Sequence, residues 1–170
     1  MTDTDDITIE PATSDDLEAI TELWVRLAIN QRQHGSHVHA ESNRETMQAL
    51  LGAHQVDGGL LVARHRGSIV GFASFSVEHG SLDLDCTRGL LSNLYVDPAL
   101  RGQGLGSRLL EAVESDLVER GVDVISLEAM AANEAARQFY RQAGYTPFRI
   151  GFERRLEGSM KNDTHSKDEG

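Results

Sequence analysis

The fold of this chain is decided by one stretch, Leu94-Tyr95-Val96-Asp97-Pro98-Ala99-Leu100-Arg101-Gly102-Gln103-Gly104-Leu105-Gly106-Ser107-Arg108-Leu109-Leu110. Its residue pattern predicts a strand, a turn at Pro98, a glycine-rich loop and a helix with one apolar face. The glycines of the loop carry no Cβ atoms, so backbone N–H groups and the positive end of the helix dipole can approach an anion. Arg101 adds a charged donor beside them. The stretch therefore predicts a phosphate-binding loop between a strand and a helix.

The two common nucleotide fingerprints do not match this loop. The loop has neither the Lys nor the Ser or Thr that the P-loop pattern requires. Aligned with G-x-G-x-x-G from Gly102, it has Ser107 where the third glycine should stand. The spacing that remains is R-x-x-G-x-G, at Arg101, Gly104 and Gly106. This spacing resembles the pyrophosphate-binding motif of the GNAT superfamily of acyl-CoA N-acyltransferases, which lies at a strand-to-helix junction.

A second motif lies downstream and resembles the same family. Its pattern is N-x-x-A-x-x-F-Y-x-x-x-G-Y, at Asn133, Ala136, Phe139, Tyr140, Gly144 and Tyr145. The opening, from Ile9 to Thr13, also looks like the start of many GNAT chains, so the resemblance spans residues 7 to 156. In motif detail the chain is most similar to bacterial N-terminal acetyltransferases that act on ribosomal proteins.

The resemblance implies an α/β (α+β) fold, with a mixed, mostly antiparallel central sheet of about seven strands, a parallel β-loop-α-β core and flanking helices. The periodicity of the chain predicts the elements of such a fold. We expect strands at 7–10, 60–64, 68–78, 90–96 and 122–129, helices from about residue 14 and at 42–53, 104–120 and 133–142, and two short closing strands at 145–146 and 149–156. Residues 1–157 are expected to form one domain, and the polar residues 158–170 a disordered tail.

The ligand that the resemblance implies is acetyl-CoA, as a cosubstrate and without a metal. Its pantetheine arm and the developing oxyanion would meet backbone groups of Leu94, Tyr95 and Val96, on a strand that the family splays from its neighbour. Asn133 would cap its helix and contact the pantetheine arm. The pyrophosphate, with Arg108 nearby, would lie on the loop residues Arg101, Gly102, Gln103, Gly104, Leu105, Gly106 and Ser107.

Acetyl transfer from a thioester to an amine needs a fixed thioester, a neutral amine, a stabilised oxyanion and a proton for the leaving thiolate. Tyr140 matches the family's general acid, although a tyrosine on an amphipathic helix can also serve for packing alone. Many family members carry a carboxylate on the strand before the glycine loop, where this chain has Ser92 and Asn93. Glu128, on the following strand, is the candidate base in its place.

The case for Glu128 depends on its surroundings, which are apolar along residues 124–129. Partial burial there would raise the pKa of its carboxyl group towards values useful for a base. Two alternatives stay open: a glutamate that faces solvent without a role, and a base that acts through ordered water.

The sequence therefore predicts an N-acetyltransferase that passes the acetyl group directly to a primary amine, which is a protein N-terminus, a lysine or a small amine. Cys86 lies outside both motifs, so an acyl-enzyme is not expected. One alternative is a catalytically weak acyl-CoA-binding regulatory domain, because the strand carboxylate is missing. A second is a dinucleotide-binding oxidoreductase with Glu128 on a ribose, which is disfavoured because only one crossover unit is evident.

The composition limits which binding partners and which cellular compartment are expected. The 170 residues carry a net charge of −11, which argues against nucleic acid and anionic membranes and would attract a cationic amine. The same acidity could serve solubility, including in high salt. No apolar run reaches the roughly 20 residues of a membrane span, no signal peptide is visible, and a single cysteine fits a reducing compartment, so a cytoplasmic protein is expected. The resemblance also allows a homodimer.

Three histidines, His34, His37 and His39, invite comparison with a metal site. Their spacing cannot place all three on one helical face, and no nearby Cys or Asp completes a ligand set. We therefore expect no metal there, and the resemblance implies that the polar segment from Gln31 to Glu45 forms part of the wall that contacts the acceptor.

Overall fold

The computed structural model describes residues 4–157, and it arranges them as a mixed sheet with helices on both faces. The strands are β1 (Ile7–Pro11), β2 (Leu60–His65), β3 (Ser68–Val77), β4 (Arg88–Val96) and β5 (Val124–Leu127). The helices are α1 (Leu17–Gln33), α2 (Arg44–Val56), α3 (Leu105–Glu119) and α4 (Glu134–Gln142). No described helix is long and apolar enough to cross a membrane.

The strands lie in the order β1-β2-β3-β4-β5. The first three neighbouring pairs are antiparallel and the last pair, β4 with β5, is parallel. A parallel pair requires a crossover, and here α3 supplies it between β4 and β5. The mostly antiparallel sheet with a parallel β-loop-α-β core is therefore confirmed.

The expected strand count of about seven is wrong for the part of the chain that the structure describes, which contains five. The two missing strands are those expected at 145–146 and 149–156, where the backbone belongs to no sheet. Their residues have strand-like alternation, but a strand also needs a neighbouring strand, and none of the five described strands pairs with them. The expected tail, residues 158–170, lies outside the described residues.

Smaller differences at the element ends have local causes. Helix α2 begins at Arg44, two residues later than expected, because residues 41–43 form a 3₁₀ turn. Strand β5 ends at Leu127 instead of Ala129. That early end matters for the site, because it leaves the residues after Leu127 free of the sheet.

Two apolar layers cover the two faces of the sheet. On one face, helix α3 buries Leu109, Val113 and Leu117 against Ala73 and Phe75. On the other face, helices α1 and α2 pack on the sheet through a second group, which consists of Ile20, Leu23, Trp24, Leu51, Val62, Phe72 and Tyr95. Trp24 is buried in this layer, as its helical spacing predicted.

One buried carboxylate ties the start of α1 to the sheet. Asp16 accepts hydrogen bonds from the backbone N–H of Thr13 at 2.9 Å and from Nη2 of Arg64 at 3.0 Å. Arg64 lies on β2 and also donates to Glu10 on β1 at 2.7 Å. Burial on its own would raise the pKa of Asp16, but these hydrogen bonds outweigh it and hold the pKa below its usual value.

The change Asp16→Asn is expected to lower the free energy of unfolding by about 1–3 kcal/mol at pH 7, because it removes a charge-assisted hydrogen bond from a buried site. Since the pKa of Asp16 is depressed on folding, its contribution is present above the unfolded-state value of 3.8 and is lost as the pH falls through the folded-state pKa. Urea unfolding at pH 7 and pH 3 checks this, with the exposed neighbour change Asp15→Asn as control. An equal deficit at both pH values would contradict the assignment.

Candidate active site

The site begins where β4 and β5 part. Their parallel pairing runs from Arg88 opposite Val124 to Leu91 opposite Leu127, where β5 ends. Strand β4 continues to Val96 but pairs there only with β3. From Ser92 onwards, the side of β4 that faced β5 has no strand partner among the described residues. The parting opens a cleft whose wall includes free backbone N–H and C=O groups.

A β-bulge lies at the same point. On β3, Ser74 and Phe75 are consecutive, whereas their partners on β4 are Asn93 and Leu91, so Ser92 is the extra residue. Bulges bend a strand and redirect its side chains. Asn93 donates a hydrogen bond from Nδ2 to the hydroxyl of the buried Ser74 at 2.8 Å, which fixes the bent segment.

The cleft encloses about 90 Å³. It brings together the two residues expected to act in chemistry, Tyr140 and Glu128, with Asn133 and Leu94. Tyr95 and Val96 do not line it, because their side chains are buried in the two apolar layers, so only their backbone groups are candidates for binding. The complete lining is Leu27, Gln31, Leu91, Ser92, Asn93, Leu94, Leu127, Glu128, Ala129, Met130, Asn133, Ala136 and Tyr140.

Neighbouring aromatic side chains hold Tyr140 in place. Its ring meets Phe139 and Tyr145 edge to face, with centroid separations of 5.1 and 6.0 Å. Its hydroxyl has no hydrogen-bond partner within residues 4–157. Burial raises the pKa of this phenol to about 12, so it stays protonated at neutral pH. A protonated phenol without an internal acceptor is available as a proton donor to a ligand.

Asn133 and Glu128 lie at the ends of their elements, and only one of them has the expected environment. Asn133 accepts a hydrogen bond on Oδ1 from the backbone N–H of Ala136 at 3.1 Å, which confirms it as the N-cap of α4. Glu128 is exposed, so the expected partial burial is wrong. The reason is that β5 ends at Leu127, and the next residue leaves the covered part of the sheet for the cleft and the solvent.

The glycine loop has the backbone geometry of an anion site. Gly102 and Gly104 have φ angles of +78° and +82°, which side chains rarely allow. Gly104 is the N-cap of α3 and offers no side-chain acceptor. The N–H groups of Leu105, Gly106 and Ser107 therefore have no partner within the helix and face the loop. Gly106 differs from them, because its φ is not positive and an added Cβ would lie in contact with the Phe139 ring, at 3.4 Å.

Two arginines, Arg101 in the loop and Arg108 in α3, donate hydrogen bonds to backbone carbonyl oxygens of the chain. Arg101 donates from Nε to the carbonyl oxygen of Val96 at 3.0 Å and lies over the Tyr95 ring, 5.5 Å from its centroid. Arg108 donates from Nη2 to the carbonyl oxygen of Ile7 at 2.8 Å. Arg101 thus braces the loop against the end of β4, while Arg108 ties α3 to β1.

Other candidate groups lie outside the cleft. Cys86 belongs to the connection before β4 and does not line it. His37 lies within hydrogen-bonding distance of Glu153, with Nε2 and Oε2 2.8 Å apart. Within residues 4–157, no group of three or more His, Cys, Asp or Glu side chains could hold a metal ion.

Gln31 begins the segment, residues 31–45, that the resemblance assigns to the acceptor wall, but the sequence did not identify Leu27 as a residue of the cleft. Leu27 and Gln31 line it from the last turns of α1, four residues apart and hence on one face. The available signal for Leu27 was its position on the apolar face of α1, one turn before the polar residue Gln31 on the same face. Met130 also lines the cleft, and a Cβ on Gly35 would contact its Cε at 3.8 Å.

The site and the sheet define a known class of protein. The model of the acetyltransferase (GNAT) family matches residues 17–145, so the chain belongs to this family. The mycothiol acetyltransferase of Thermobispora bispora is 32% identical over 133 residues, which cover 76% of this chain and 44% of that protein. The ribosomal protein bS18-alanine N-acetyltransferase of Escherichia coli is 38% identical over 73 residues, which cover 43% of this chain and 47% of that protein. The chain matches less than half the length of each.

Solved structures share the fold at lower identity. A GCN5-related N-acetyltransferase from Ralstonia eutropha has a TM-score of 0.70 at 24% identity, over 87% of this chain and 97% of that one. An acetyltransferase from Clostridium acetobutylicum, solved with acetyl-CoA, has a TM-score of 0.69 at 18% identity, over 88% and 96%. These similarities confirm the fold class expected from the sequence.

The change Gly104→Ala is expected to weaken acetyl-CoA binding about tenfold, because an alanine at φ +82° moves the N–H groups that follow it. A matched control is Gly67→Ala in the β2–β3 turn, where φ is +81° and the space is equally open. Both changes should cost about 1 kcal/mol of stability. Calorimetric titration separates them, and equal affinities for the two variants would contradict a role for the loop.

Proposed function

We propose that this chain is an N-acetyltransferase that passes the acetyl group of acetyl-CoA directly to a primary amine. One observation carries the proposal: β4 loses its β5 neighbour after Leu91, within the same strand that leads into the glycine loop. An extended ligand with a phosphate end could therefore lie along free backbone groups at one end and on a helix N-terminus at the other.

The residues of the cleft fit acetyl-CoA. The loop from Arg101 to Ser107 would hold the pyrophosphate through its backbone N–H groups, and a Cβ at Gly102 or Gly104 would meet open space, so the approach is clear. Backbone groups of Leu94 to Val96 would bind the pantetheine arm, with Asn133 beside them. Acetyl-CoA supplies the activated thioester.

Tyr140 is proposed as the general acid. Its phenol lines the cleft, is protonated at neutral pH and has no acceptor within the described residues. The leaving thiolate would take the phenol proton as the carbon–sulfur bond breaks, and the phenolate would be reprotonated by the second proton that the nitrogen loses when it becomes an amide. A pKa of about 12 makes the free phenol a weak acid, but the same dry surroundings also disfavour a thiolate, so both partners of the transfer are shifted in the same direction.

Glu128 is proposed as the general base. Its carboxylate lies at the solvent side of the cleft, where an incoming ammonium group could lose a proton before its nitrogen attacks. From this position Glu128 could deprotonate an acceptor amine as it enters from solvent. The position is less suited to proton transfer in the interior of the cleft. Ser92 and Asn93 also line the cleft and carry no charge, so Glu128 is the single carboxylate in the lining.

The proposed acceptor is a primary amine of a protein N-terminus, of a lysine or of a small molecule. One relative is named for the alanine of ribosomal protein bS18 and another for mycothiol, so relatives of this chain have unlike acceptors. The net charge of −11 supports a cationic acceptor. A panel of an alanine-initial peptide, a lysine peptide and small amines, with release of CoA as readout, tests the proposal. Tight acetyl-CoA binding without turnover of any amine would favour a regulatory acyl-CoA-binding domain.

The change Tyr140→Phe is expected to lower kcat about 100-fold with little change in acetyl-CoA affinity, because the ring stays and only the proton donor is lost. The control is Tyr145→Phe, since that hydroxyl donates to Glu114 at 3.2 Å and does not line the cleft. Steady-state kinetics with the best amine of the panel checks this. Full activity of the Tyr140 variant would remove it from the mechanism.

The change Glu128→Gln is expected to lower kcat/KM about 100-fold near neutral pH, and less at high pH, where the free amine is already deprotonated. The control is Glu119→Gln, which changes the charge equally at an exposed position of α3 outside the cleft. A pH profile of both variants checks this. A uniform drop of less than about threefold across the profile would assign the base to ordered water.

A further inference from the structure

Two polar side chains are hydrogen-bonded to each other beside the bulge of β4. Ser74 on β3 is fully buried, and Asn93 lies opposite it on β4, half-buried in the lining of the cleft. The Asn93 amide donates from Nδ2 to the Ser74 hydroxyl at 2.8 Å. Because a hydrogen bond to a buried partner restricts the rotation of a side chain, the Asn93 amide has one preferred orientation.

This orientation leaves the amide oxygen of Asn93 for a ligand. Among residues 4–157, no group donates a hydrogen bond to Oδ1 of Asn93, and this atom is not sealed from the surface. An amide oxygen accepts hydrogen bonds from N–H and O–H donors. Since the amide nitrogen is turned to Ser74, the oxygen is the polar atom that Asn93 presents to a ligand in the cleft.

The Asn93 side chain belongs to the wall of the cleft that α1 completes. The partner of Ser74 on β2 is Leu60, which is buried in the apolar layer of α1 and α2. Side chains of directly opposed residues share one face of a sheet, so Ser74 and Asn93 face the same layer. Two residues of α1 line the cleft on that side, whereas Tyr140 packs against the layer of α3 on the other face.

The two walls suit the two ends of the proposed reaction. In the tetrahedral intermediate, the incoming nitrogen and the leaving sulfur occupy different corners of one carbon, so the groups that contact them can lie on different walls. Tyr140 is proposed to protonate the sulfur, which leaves the wall of α1 for the nitrogen. A nitrogen that donates one N–H to a fixed oxygen loses rotational freedom, and its lone pair keeps one direction.

The neutral amide of Asn93 suits contact with the attacking nitrogen. A carboxylate at this position would favour the ammonium form, which has no lone pair for attack. An amide oxygen can accept a hydrogen bond from the neutral amine. Glu128 is the single carboxylate in the lining and is exposed, so proton removal and orientation of the nitrogen fall to different side chains.

We propose that Asn93, held in place by Ser74, accepts a hydrogen bond from the nitrogen of the acceptor amine and directs its lone pair at the thioester. This inference rests on the proposed acetyl transfer and adds the residue that orients the acceptor. Asn93 touches the acceptor, and Ser74 is a positioning residue that acts through Asn93.

The protons of the acceptor balance in this arrangement. A primary ammonium group carries three, and it gives the first to Glu128 before attack. The neutral nitrogen then forms its bond to the carbonyl carbon, and the second proton leaves the nitrogen as the bond to sulfur breaks. The third stays on the nitrogen as the N–H of the amide product, which is the N–H that donates to Asn93.

The first test is the change Asn93→Leu, which keeps the size of the side chain and removes its oxygen. It is expected to lower kcat/KM for the best primary amine of the panel about tenfold, because one hydrogen bond is lost. The affinity for acetyl-CoA, measured by calorimetric titration, should stay within about twofold of wild type, since only backbone groups of β4 are proposed to bind it. The control is Asn30→Leu, the same change at a half-buried position of α1 outside the lining, and it should keep wild-type activity.

A second variant, Asn93→Asp, identifies the atom that acts. It keeps the oxygen and loses the amide nitrogen, while the Ser74 hydroxyl can donate to the new carboxylate. At pH 9, where less of the amine is held as ammonium, its kcat/KM should lie within about threefold of wild type, well above that of Asn93→Leu. An aspartate variant as slow as the leucine variant would overturn the role of the oxygen.

A double-mutant cycle tests Ser74. The change Ser74→Ala is expected to lower kcat/KM about threefold, and adding it to Asn93→Leu should cause no further loss, because Ser74 acts through Asn93. The control is Ser76→Ala, two residues further along β3 and outside the lining, which should have wild-type activity. Additive losses would overturn the positioning role of Ser74.

These measurements separate the inference from the proposed function. If the wild-type chain acetylates no amine, the proposed function fails and the inference fails with it. If the wild-type chain is active and Asn93→Leu keeps full kcat/KM, only the role of Asn93 is overturned. A parallel loss of acetyl-CoA affinity in Asn93→Leu also overturns that role, because the side chain would then maintain the shape of β4 instead of contacting the acceptor.

Discussion

The structure depends on a single constraint, the short length of β5. Strand β4 is nine residues long, but its parallel neighbour has four, and the two separate after Leu91. The first half of β4 is held between two strands and covered by α3, with Leu91 and Leu117 in the same apolar layer. Its second half has β3 alone. The sheet is therefore closed at one end of β4 and open at the other, where one side of the strand has no strand neighbour among the described residues.

Helix α3 connects this wall to the glycine loop. It buries Leu105, Leu109, Leu110, Val113 and Leu117, and burial of each such side chain contributes about 1.5–3 kcal/mol. The loop is thus fixed at one end by the buried face of α3 and at the other by the hydrogen bond from Arg101 to the end of β4. The glycine loop and a free strand edge are held at a constant separation, which would preorganise the cleft for the extended ligand that we propose.

Most of the fold and part of the site could be predicted from the sequence, because local signals determine them. The sequence predicted Asn133 as a helix cap, Trp24 as a buried residue and the glycine loop as the start of a helix. Each of these features depends on neighbours within a few positions of the chain. The exposure of Glu128 could not be predicted from the sequence, because it depends on β5 ending at Leu127, one residue earlier. Likewise, the alternation of Phe148, Ile150 and Phe152 indicates a strand, but alternation alone does not supply the neighbouring strand that the segment lacks in the structure.

The central claim is that the free backbone of β4 and the start of α3 together bind acetyl-CoA. Amide chemical shifts of the isotope-labelled protein, followed during titration with acetyl-CoA, test it most directly. The account predicts shifts concentrated at residues 92–96 and 104–107, no change at the β2–β3 turn around Gly67, and no matching response to NADH. Shifts absent from both segments, or a similar response to NADH, would contradict it.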